Sequence, residues 1–141
     1  MGALLAPPPQ SREEAMERAV TVNRVIGSPS YPVDEAAVKE RARRAWDRGH
    51  DPEGVARQLL AIMAQSDRTQ ALGDLRVPTL VVHGEADPLV DVTGGRATAA
   101  AIPEARLIVI PGMGHDLPVE LWPEIVIAIA DNAARAATPA A

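Results

Sequence analysis

The sequence predicts an α/β fold in which a helical region precedes a parallel strand–helix–strand–helix unit. Apolar residues recur at helical spacing through 11–75, whereas short continuous runs of β-branched residues dominate 76–136. Two flanking segments complete the expected organisation: a flexible, proline-rich lead-in at 1–10 and a frayed tail at 137–141. Because only two strands are expected, the predicted sheet is incomplete.

Composition excludes several classes of function. The 141 residues suggest one compact unit, and a net charge of −5 without a basic stripe argues against nucleic acid as a partner. The absence of cysteine excludes disulfides, thiolate metal sites and a cysteine nucleophile. The sequence has neither a signal-peptide pattern nor an apolar run approaching the roughly 20 residues of a membrane span. We therefore expect a cytoplasmic protein without a membrane span.

The first helix is expected to open at Ser11, because Glu14 follows three residues later as in a capping box. Gly27 is expected to close this helix in the left-handed conformation. The sequence SPSYP after Gly27 is interpreted as a turn, because each proline disfavours helix at the residue before it.

Three further helices are expected in the helical region. One begins near Asp34 and ends at Gly49, and the next begins with Asp51 as N-cap and Pro52 as its first residue. A short helix is expected from 69 to 75. The apolar residues predicted to form a buried stripe on the Asp34 helix are Val38, Ala42, Ala45 and Trp46, and those predicted to give the Asp51 helix a wide apolar face are Val55, Ala56, Leu59, Leu60, Ile62 and Met63.

The second half alternates strand and helix. VPTLVVHG at 77–84 and ARLIVI at 105–110 are predicted to be parallel strands covered on both faces, connected by a helix at 94–101. Pro118 is expected to open the last helix. The residues expected on one side of that helix are Leu121, Trp122, Ile125, Ile129, Ala130 and Ala133.

Two loops follow the carboxyl ends of the predicted strands, where ligands of parallel sheets bind. HGEADPLV at 83–90 contains Asp87, and PGMGHDLP at 111–118 contains His115, 28 residues later. A histidine acting as a general base needs a carboxylate at Nδ1 that fixes its tautomer and stabilises the imidazolium. We expect Asp87 to supply it, and we expect the neighbouring Gly112 and Gly114 to allow the backbone angles that place the imidazole over the sheet edge.

The motifs VPTLVVHGEADPLV and ARLIVIPGMGHDLP resemble the C-terminal part of the α/β-hydrolase family. GGRATAAAIPEARLIVIPGMGHDLP is similar to its esterase-like, aclacinomycin methylesterase-type branch. The resemblance implies that Asp87 and His115 are the acid and the histidine of a Ser–Asp–His triad in a carboxylic ester hydrolase. It also implies that 11–75 is a cap, or lid, and that neither a metal nor an organic cofactor takes part.

The family's nucleophile is a serine in a G-x-S-x-G motif before the cap, and no such motif occurs in this sequence. The four serines lie outside any such motif: Ser11, Ser28, Ser30 and Ser66. We therefore expect the chain alone to be inactive. Three interpretations remain open: a truncated product, one half of a split hydrolase whose partner carries the serine, or a non-catalytic interaction module. The strand at 77–84 is expected to expose an apolar edge, through which an N-terminal half or a second copy could bind.

Other interpretations of the loop residues remain open. One alternative interpretation has Asp87 capping the turn at Pro88, and Asp91 is then the alternative acid. A metal site formed by His83, Asp87 and His115 is conceivable, but a structural His83 is the favoured interpretation. No chemical role is expected for the remaining candidates. His50 is expected to be exposed, Met113 to be a packing residue, and Asp116 either to orient the loop or to face solvent.

Overall fold

The computed structural model describes residues 6–137, and these form two compact units. A helical unit contains the chain up to Val25 together with Val33–Asp67. A sheet-containing unit contains Ile26–Pro32 together with the chain from Arg68 onwards. The predicted lead-in and tail fall partly on residues 1–5 and 138–141, which lie outside the described residues.

The helical unit is built from three helices that begin where the sequence predicts them: α1 (Arg12–Ile26), α2 (Glu35–Arg48) and α3 (Pro52–Met63). The hydroxyl of Ser11 accepts a hydrogen bond from the Glu14 N–H at 3.1 Å. The Glu14 carboxylate accepts from the Gln10 N–H at 2.7 Å, one residue earlier than a capping box requires. The cap is therefore as predicted on the serine side and displaced by one residue on the glutamate side.

Aspartate caps set the starts of α2 and α3. Asp34 Oδ1 accepts a hydrogen bond from the Ala37 N–H at 3.0 Å, and Asp51 Oδ1 accepts one from the Gly54 N–H at 2.8 Å. Gly49 ends α2 with φ of 150°, a conformation open to glycine. The predicted ends of these helices are confirmed because each depends on local side-chain chemistry.

Two predictions for the helical region are wrong. Gly27 follows α1 but lacks a positive φ, and the chain bends there into the predicted turn, which lies at residues 29–30. Ala45, predicted to be buried on α2, is exposed, and Val38 is the member of the predicted stripe that is buried. The apolar side chains of α3 are also largely exposed: Val55, Leu59, Leu60, Ile62 and Met63.

The sheet-containing unit follows the predicted order of elements: α4 (Thr69–Leu72), β1 (Leu80–Gly84), α5 (Val92–Ala101), β2 (Arg106–Ile110), a 3₁₀ turn (Val119–Leu121) and α6 (Trp122–Ala137). The strands pair in parallel, with Val82 opposite Ile108. β1 is shorter than predicted; it begins after Pro78, which has no N–H to donate to a sheet. Among residues 6–137, each strand has one edge without a strand partner.

The two faces of the sheet contact different helices. The His83 ring lies against α5, because a Cβ at Gly95 would be 2.6 Å from its Nδ1. Val82 and Ile108 point to the opposite face. There they pack against the core formed by Ile110, Met113, Leu121 and Ile125. The strands are mostly half-buried, so the prediction that both faces are fully covered is wrong.

The last helix buries a narrower stripe than predicted. Leu121, Ile125 and Ala128 are buried, whereas Trp122 and Ile129 are 53% and 55% exposed. Ala130 and Ala133 are exposed as well. Pro118 opens the 3₁₀ turn rather than α6 itself. Trp122 and Ile129 are exposed because only one face of α6 packs on the sheet, and none of the described residues covers the second apolar face. No helix within 6–137 combines the length and apolar character needed to cross a bilayer.

The close approach of β1 to the loop after β2 makes Gly84 sensitive to substitution. A Cβ at Gly84 would lie 2.2 Å from the Met113 carbonyl oxygen and 2.5 Å from that of Gly114. We expect Gly84→Ala to lower the free energy of unfolding by about 1–3 kcal/mol, because backbone atoms must move. Gly94→Ala is the matched control, since the nearest atom to its Cβ is a Val90 methyl at 3.4 Å.

Urea denaturation of both variants tests this expectation. Gly94→Ala should be neutral or stabilising by up to about 1 kcal/mol, because alanine reduces the entropy of the unfolded chain. Equal stabilities of the two variants would contradict the packing described for Gly84.

Candidate functional site

The loops after β1 and β2 lie side by side at the carboxyl end of the sheet. The Glu85 N–H donates to the Ile110 carbonyl at 3.0 Å, and the Ala86 N–H donates to the Met113 carbonyl at 3.0 Å. These backbone hydrogen bonds hold the two loops against each other without a contribution from side chains. A cavity of about 330 Å³ opens between them.

Asp87 and His115, the two predicted site residues, meet across this cavity. His115 Nδ1 lies 2.8 Å from Asp87 Oδ2. A carboxylate only accepts hydrogen bonds, so Nδ1 carries the proton and Nε2 is the nitrogen able to take up another. The Asp87 side chain is 5% exposed and the imidazole 42% exposed, which places the acid inside and the base toward solvent.

The loop itself positions the Asp87 carboxylate. Its Oδ1 accepts hydrogen bonds from the N–H groups of Leu89 at 2.8 Å and Val90 at 2.9 Å, which leaves Oδ2 directed at His115. The turn-capping interpretation and the histidine-partner interpretation of Asp87 are thus compatible, since each uses a different oxygen.

These hydrogen bonds keep Asp87 ionised. Burial, the largest single influence, opposes ionisation and acts to raise its pKa. The bonds donated by Val90, His115 and Leu89 together outweigh burial, so the pKa of the carboxyl lies below its usual value. A negative charge next to the imidazole is therefore maintained at neutral pH.

His83 supports the loop from the other side. Its Nε2 lies 2.8 Å from the Val90 carbonyl oxygen and 3.9 Å from Asp87 Oδ2, and its side chain is 13% exposed. Because a carbonyl can only accept, Nε2 donates to Val90 and fixes the turn that holds Asp87. Within residues 6–137, no group of three or more metal-ligating side chains is arranged to hold a metal ion.

Asp91, the alternative acid, has a different role. Its Oδ1 accepts hydrogen bonds from the Thr93 N–H at 2.9 Å and from the Thr93 hydroxyl at 2.6 Å, which makes it the N-cap of α5. These two bonds lower its pKa. The carboxylate that contacts His115 is that of Asp87.

Residues 26–32, which we call the clamp segment, hold the histidine loop from a second direction. The His115 N–H donates to the Ile26 carbonyl at 2.7 Å, and the Ser30 N–H donates to the Gly112 carbonyl at 3.3 Å. The Gly114 N–H donates to Ser28 Oγ at 2.8 Å. Sequence reasoning missed these residues, because the hydrogen-bonded pairs lie more than 80 positions apart in the chain and no motif in either segment indicates that the two are in contact.

The two loop glycines are needed for different reasons. Gly112 has φ of +69°, as expected for a residue that redirects the backbone. Gly114 lacks a positive φ, so the expectation of a special backbone angle is wrong there. Its requirement is space, since a Cβ would lie 2.4 Å from the Gly27 carbonyl oxygen.

The remaining candidates have mainly structural surroundings. Met113 is 4% exposed and belongs to the core. Asp116 accepts a hydrogen bond from the Ser28 hydroxyl. His50, in the helical unit, is exposed as predicted and stacks on Trp46 with ring centroids 4.1 Å apart.

Chemically, the paired imidazole and carboxylate can act as a general base followed by a general acid toward a hydroxyl placed at Nε2. The buried, ionised carboxylate fixes the tautomer and stabilises the imidazolium. The arrangement can thus supply a base and a group that orients it.

Comparison with known proteins identifies the family. The family model described as serine aminopeptidase, S33, matches residues 34–121, more than half of the chain. The chain is 30% identical over 141 residues to rhodomycin D methylesterase DnrP of Streptomyces peucetius, with 98% of this chain and 46% of DnrP covered. It is 35% identical over 68 residues to a pimeloyl-[acyl-carrier protein] methyl ester esterase of Xanthomonas oryzae pv. oryzae, with 48% and 27% covered.

Solved structures show the same fold. A serine hydrolase involved in carbazole degradation, the CarC enzyme, matches with a TM-score of 0.63 at 20% identity, covering 84% of this chain and 47% of that one. The esterase RhEst1 from Rhodococcus matches with a TM-score of 0.62 at 19% identity, covering 92% and 45%. The chain spans about half the length of the methylesterase relatives that it matches along nearly all of its own length. It belongs to the serine aminopeptidase S33 family of α/β-hydrolases and has the fold of part of an α/β-hydrolase.

Proposed function

We propose that the chain supplies the acid and the histidine of a carboxylic ester hydrolase. The observation that carries this proposal is the 2.8 Å contact between His115 Nδ1 and Asp87 Oδ2 at the carboxyl end of the parallel sheet. His115 acts as the general base, and Asp87 holds its tautomer and stabilises the imidazolium. The helical region 11–75 remains our proposed cap.

In the proposed reaction, a serine hydroxyl attacks the ester carbonyl while His115 Nε2 takes its proton. The tetrahedral intermediate collapses, the carbon–oxygen bond to the alcohol breaks, and His115 returns the proton to the departing alkoxide. Water then attacks the acyl-serine with the same base, which releases the acid and restores the serine. Asp87 remains ionised throughout.

The substrate we propose is a small-alcohol ester, such as a methyl ester, of a larger carboxylic acid. Two relatives are methylesterases of such acids by name. The helical unit, which we propose as the cap, contains an apolar cavity of about 630 Å³ lined by α1, α2 and α3.

The nucleophile in this proposal comes from a complementary part that carries a G-x-S-x-G motif, in the same or another polypeptide. None of the four serines of this sequence lies in such a motif. Ser28 is close to the histidine loop, but its hydroxyl hydrogen is directed to Asp116. The chain's coverage of 46% of a methylesterase relative supports a complementary part of similar size.

The surface proposed to receive the complementary part is the unpaired edge of β1 with the uncovered face of α6. A groove of about 400 Å³ is lined there by Leu80, Val82, Leu117, Ile125, Ile129 and Asn132. Val126 and Ile129, three residues apart on one face of α6, are 61% and 55% exposed. An unpaired strand next to exposed aliphatic side chains can receive another strand and its covering elements. A second copy of this chain is the alternative occupant.

The first prediction concerns activity. The chain alone should hydrolyse p-nitrophenyl butyrate at the background rate. Co-expression with the part of DnrP outside the matched 46% should give turnover. In that complex, Asp87→Asn and His115→Ala should each lower kcat by about 10³-fold or more, because the triad acts as a unit. Arg96→Ala, at an exposed residue of α5 away from the cavities, is the control and should leave kcat unchanged. Full activity of His115→Ala would refute the assignment.

The second prediction concerns acid stability. Because the pKa of Asp87 is lower in the folded chain than in the unfolded chain, its ionisation stabilises the fold at neutral pH. That contribution should be lost as the pH falls below about 4, through the folded pKa. Asp87→Asn should remove this part of the pH dependence, and His115→Ala should remove a portion of it. Urea unfolding at several pH values checks this, and an Asp87→Asn curve parallel to that of the native chain would contradict it.

The third prediction concerns association. Ile129→Lys should weaken binding of the complementary DnrP part about tenfold or more, because it places a charge in an apolar contact. Asp131→Lys on the same helix is the control, since it removes no large apolar side chain. Sedimentation velocity separates the occupants: a mixed complex supports the proposal, and a homodimer unaffected by the DnrP part identifies a second copy instead.

A further inference from the structure

Ser28 is a buried polar side chain that the proposed reaction does not use. It is 4% exposed and lies in the clamp segment, directly after Gly27. A buried hydroxyl costs free energy unless both its donor and its acceptor are satisfied. Its partners therefore indicate what the residue does.

Both hydrogen bonds of Ser28 flank His115. The hydroxyl oxygen accepts from the Gly114 N–H at 2.8 Å, and the hydroxyl hydrogen is donated to Asp116 Oδ1. A single side chain thus connects the residue before the histidine to the residue after it.

The backbone of His115 itself is held by the same segment. Its N–H donates to the Ile26 carbonyl at 2.7 Å. Three consecutive residues of the loop, 114 to 116, are therefore each bonded to residues 26–28. The contact is close because Gly114 has no side chain: a Cβ there would lie 2.4 Å from the Gly27 carbonyl oxygen.

The imidazole needs this support more than the acid does. Asp87 is buried and is held by two backbone N–H groups, whereas the His115 side chain is 42% exposed and is held by Asp87 at one ring atom. A ring with one anchor keeps its direction only if the backbone below it is fixed.

We propose that Ser28 is a positioning residue for His115: its hydroxyl bridges Gly114 and Asp116, fixes the loop backbone and so aligns the imidazole with Asp87. Its catalytic consequence depends on the proposed function, but the effect on the histidine ring does not. The hydroxyl is the essential group, because it both accepts and donates. The two groups that the hydroxyl bridges are the N–H of Gly114 and the carboxylate of Asp116.

Nuclear magnetic resonance of the chain labelled with ¹⁵N-histidine and ¹⁵N-glycine tests this without an activity assay. The two signals are the His115 Nδ1–H proton, shifted downfield by Asp87, and the exchange rate of the Gly114 amide. In Ser28→Ala, we expect the downfield signal to be lost or moved upfield and the Gly114 amide to exchange about tenfold faster, because one hydrogen bond is removed. Ser28→Thr, which keeps a hydroxyl, should retain both signals. Ser66→Ala, at an exposed serine, is the matched control.

Each outcome decides the proposal. An unchanged His115 signal in Ser28→Ala would overturn it, and so would equal loss in Ser28→Ala and Ser28→Thr, which would indicate packing rather than the hydroxyl. If Ser28→Ala fails to fold, Asp116→Ala removes the carboxylate that accepts from the hydroxyl and should shift the same signals in the same direction. An unchanged His115 signal in Asp116→Ala would then overturn the proposal.

The test also separates this inference from the proposed function. If the complex with the DnrP part shows no esterase activity while Ser28→Ala alone loses the His115 signal, the proposed function fails and the positioning role stands. If the complex is active, Ser28→Ala should lower kcat by about tenfold or more with little change in KM, because misaligning the base weakens interactions made in the transition state.

Discussion

Three chain segments approach one another backbone to backbone at Gly84, Gly114 and Gly27, and the candidate site depends on that approach. At Gly84, the end of β1 meets the carbonyls of the histidine loop, and at Gly114 the same loop meets the clamp segment. A Cβ on Gly84 or Gly114 would overlap backbone oxygen atoms. Main-chain contacts on two sides therefore hold the histidine loop in place, and they determine where the imidazole of His115 lies.

Local chemistry explains most of what the sequence could predict. The aspartate caps of α2 and α3, the glycine that ends α2 and the alternation of strand and helix after residue 76 each depend on neighbouring residues. The pairing of Asp87 with His115 was predictable for another reason. Parallel strands end at the same edge of a sheet, so residues directly after two neighbouring strands meet there.

What sequence reasoning missed depends on distant parts of the chain. Helical spacing predicts a left-handed Gly27 that ends α1, yet Gly27 lacks a positive φ, and its carbonyl oxygen lies close to Gly114. Ser28 was considered as a nucleophile and set aside, and nothing near it in the sequence indicated the loop 86 positions away. Likewise, helical spacing places Ala45 in a buried stripe and Ile129 on the apolar side of the last helix, but spacing identifies an apolar face without showing whether anything covers it.

The way Asp87 is held has a consequence for how this site could evolve. Leu89 and Val90 secure the carboxylate through their amide groups, so the identity of their side chains is irrelevant to that task. A substitution at Val90, which lines the cavity, can therefore change the cavity wall while the N–H that holds Asp87 is kept. The shape of the cavity can change along this loop while the Asp87–His115 pair is preserved, a separation that would be lost if side chains held the aspartate.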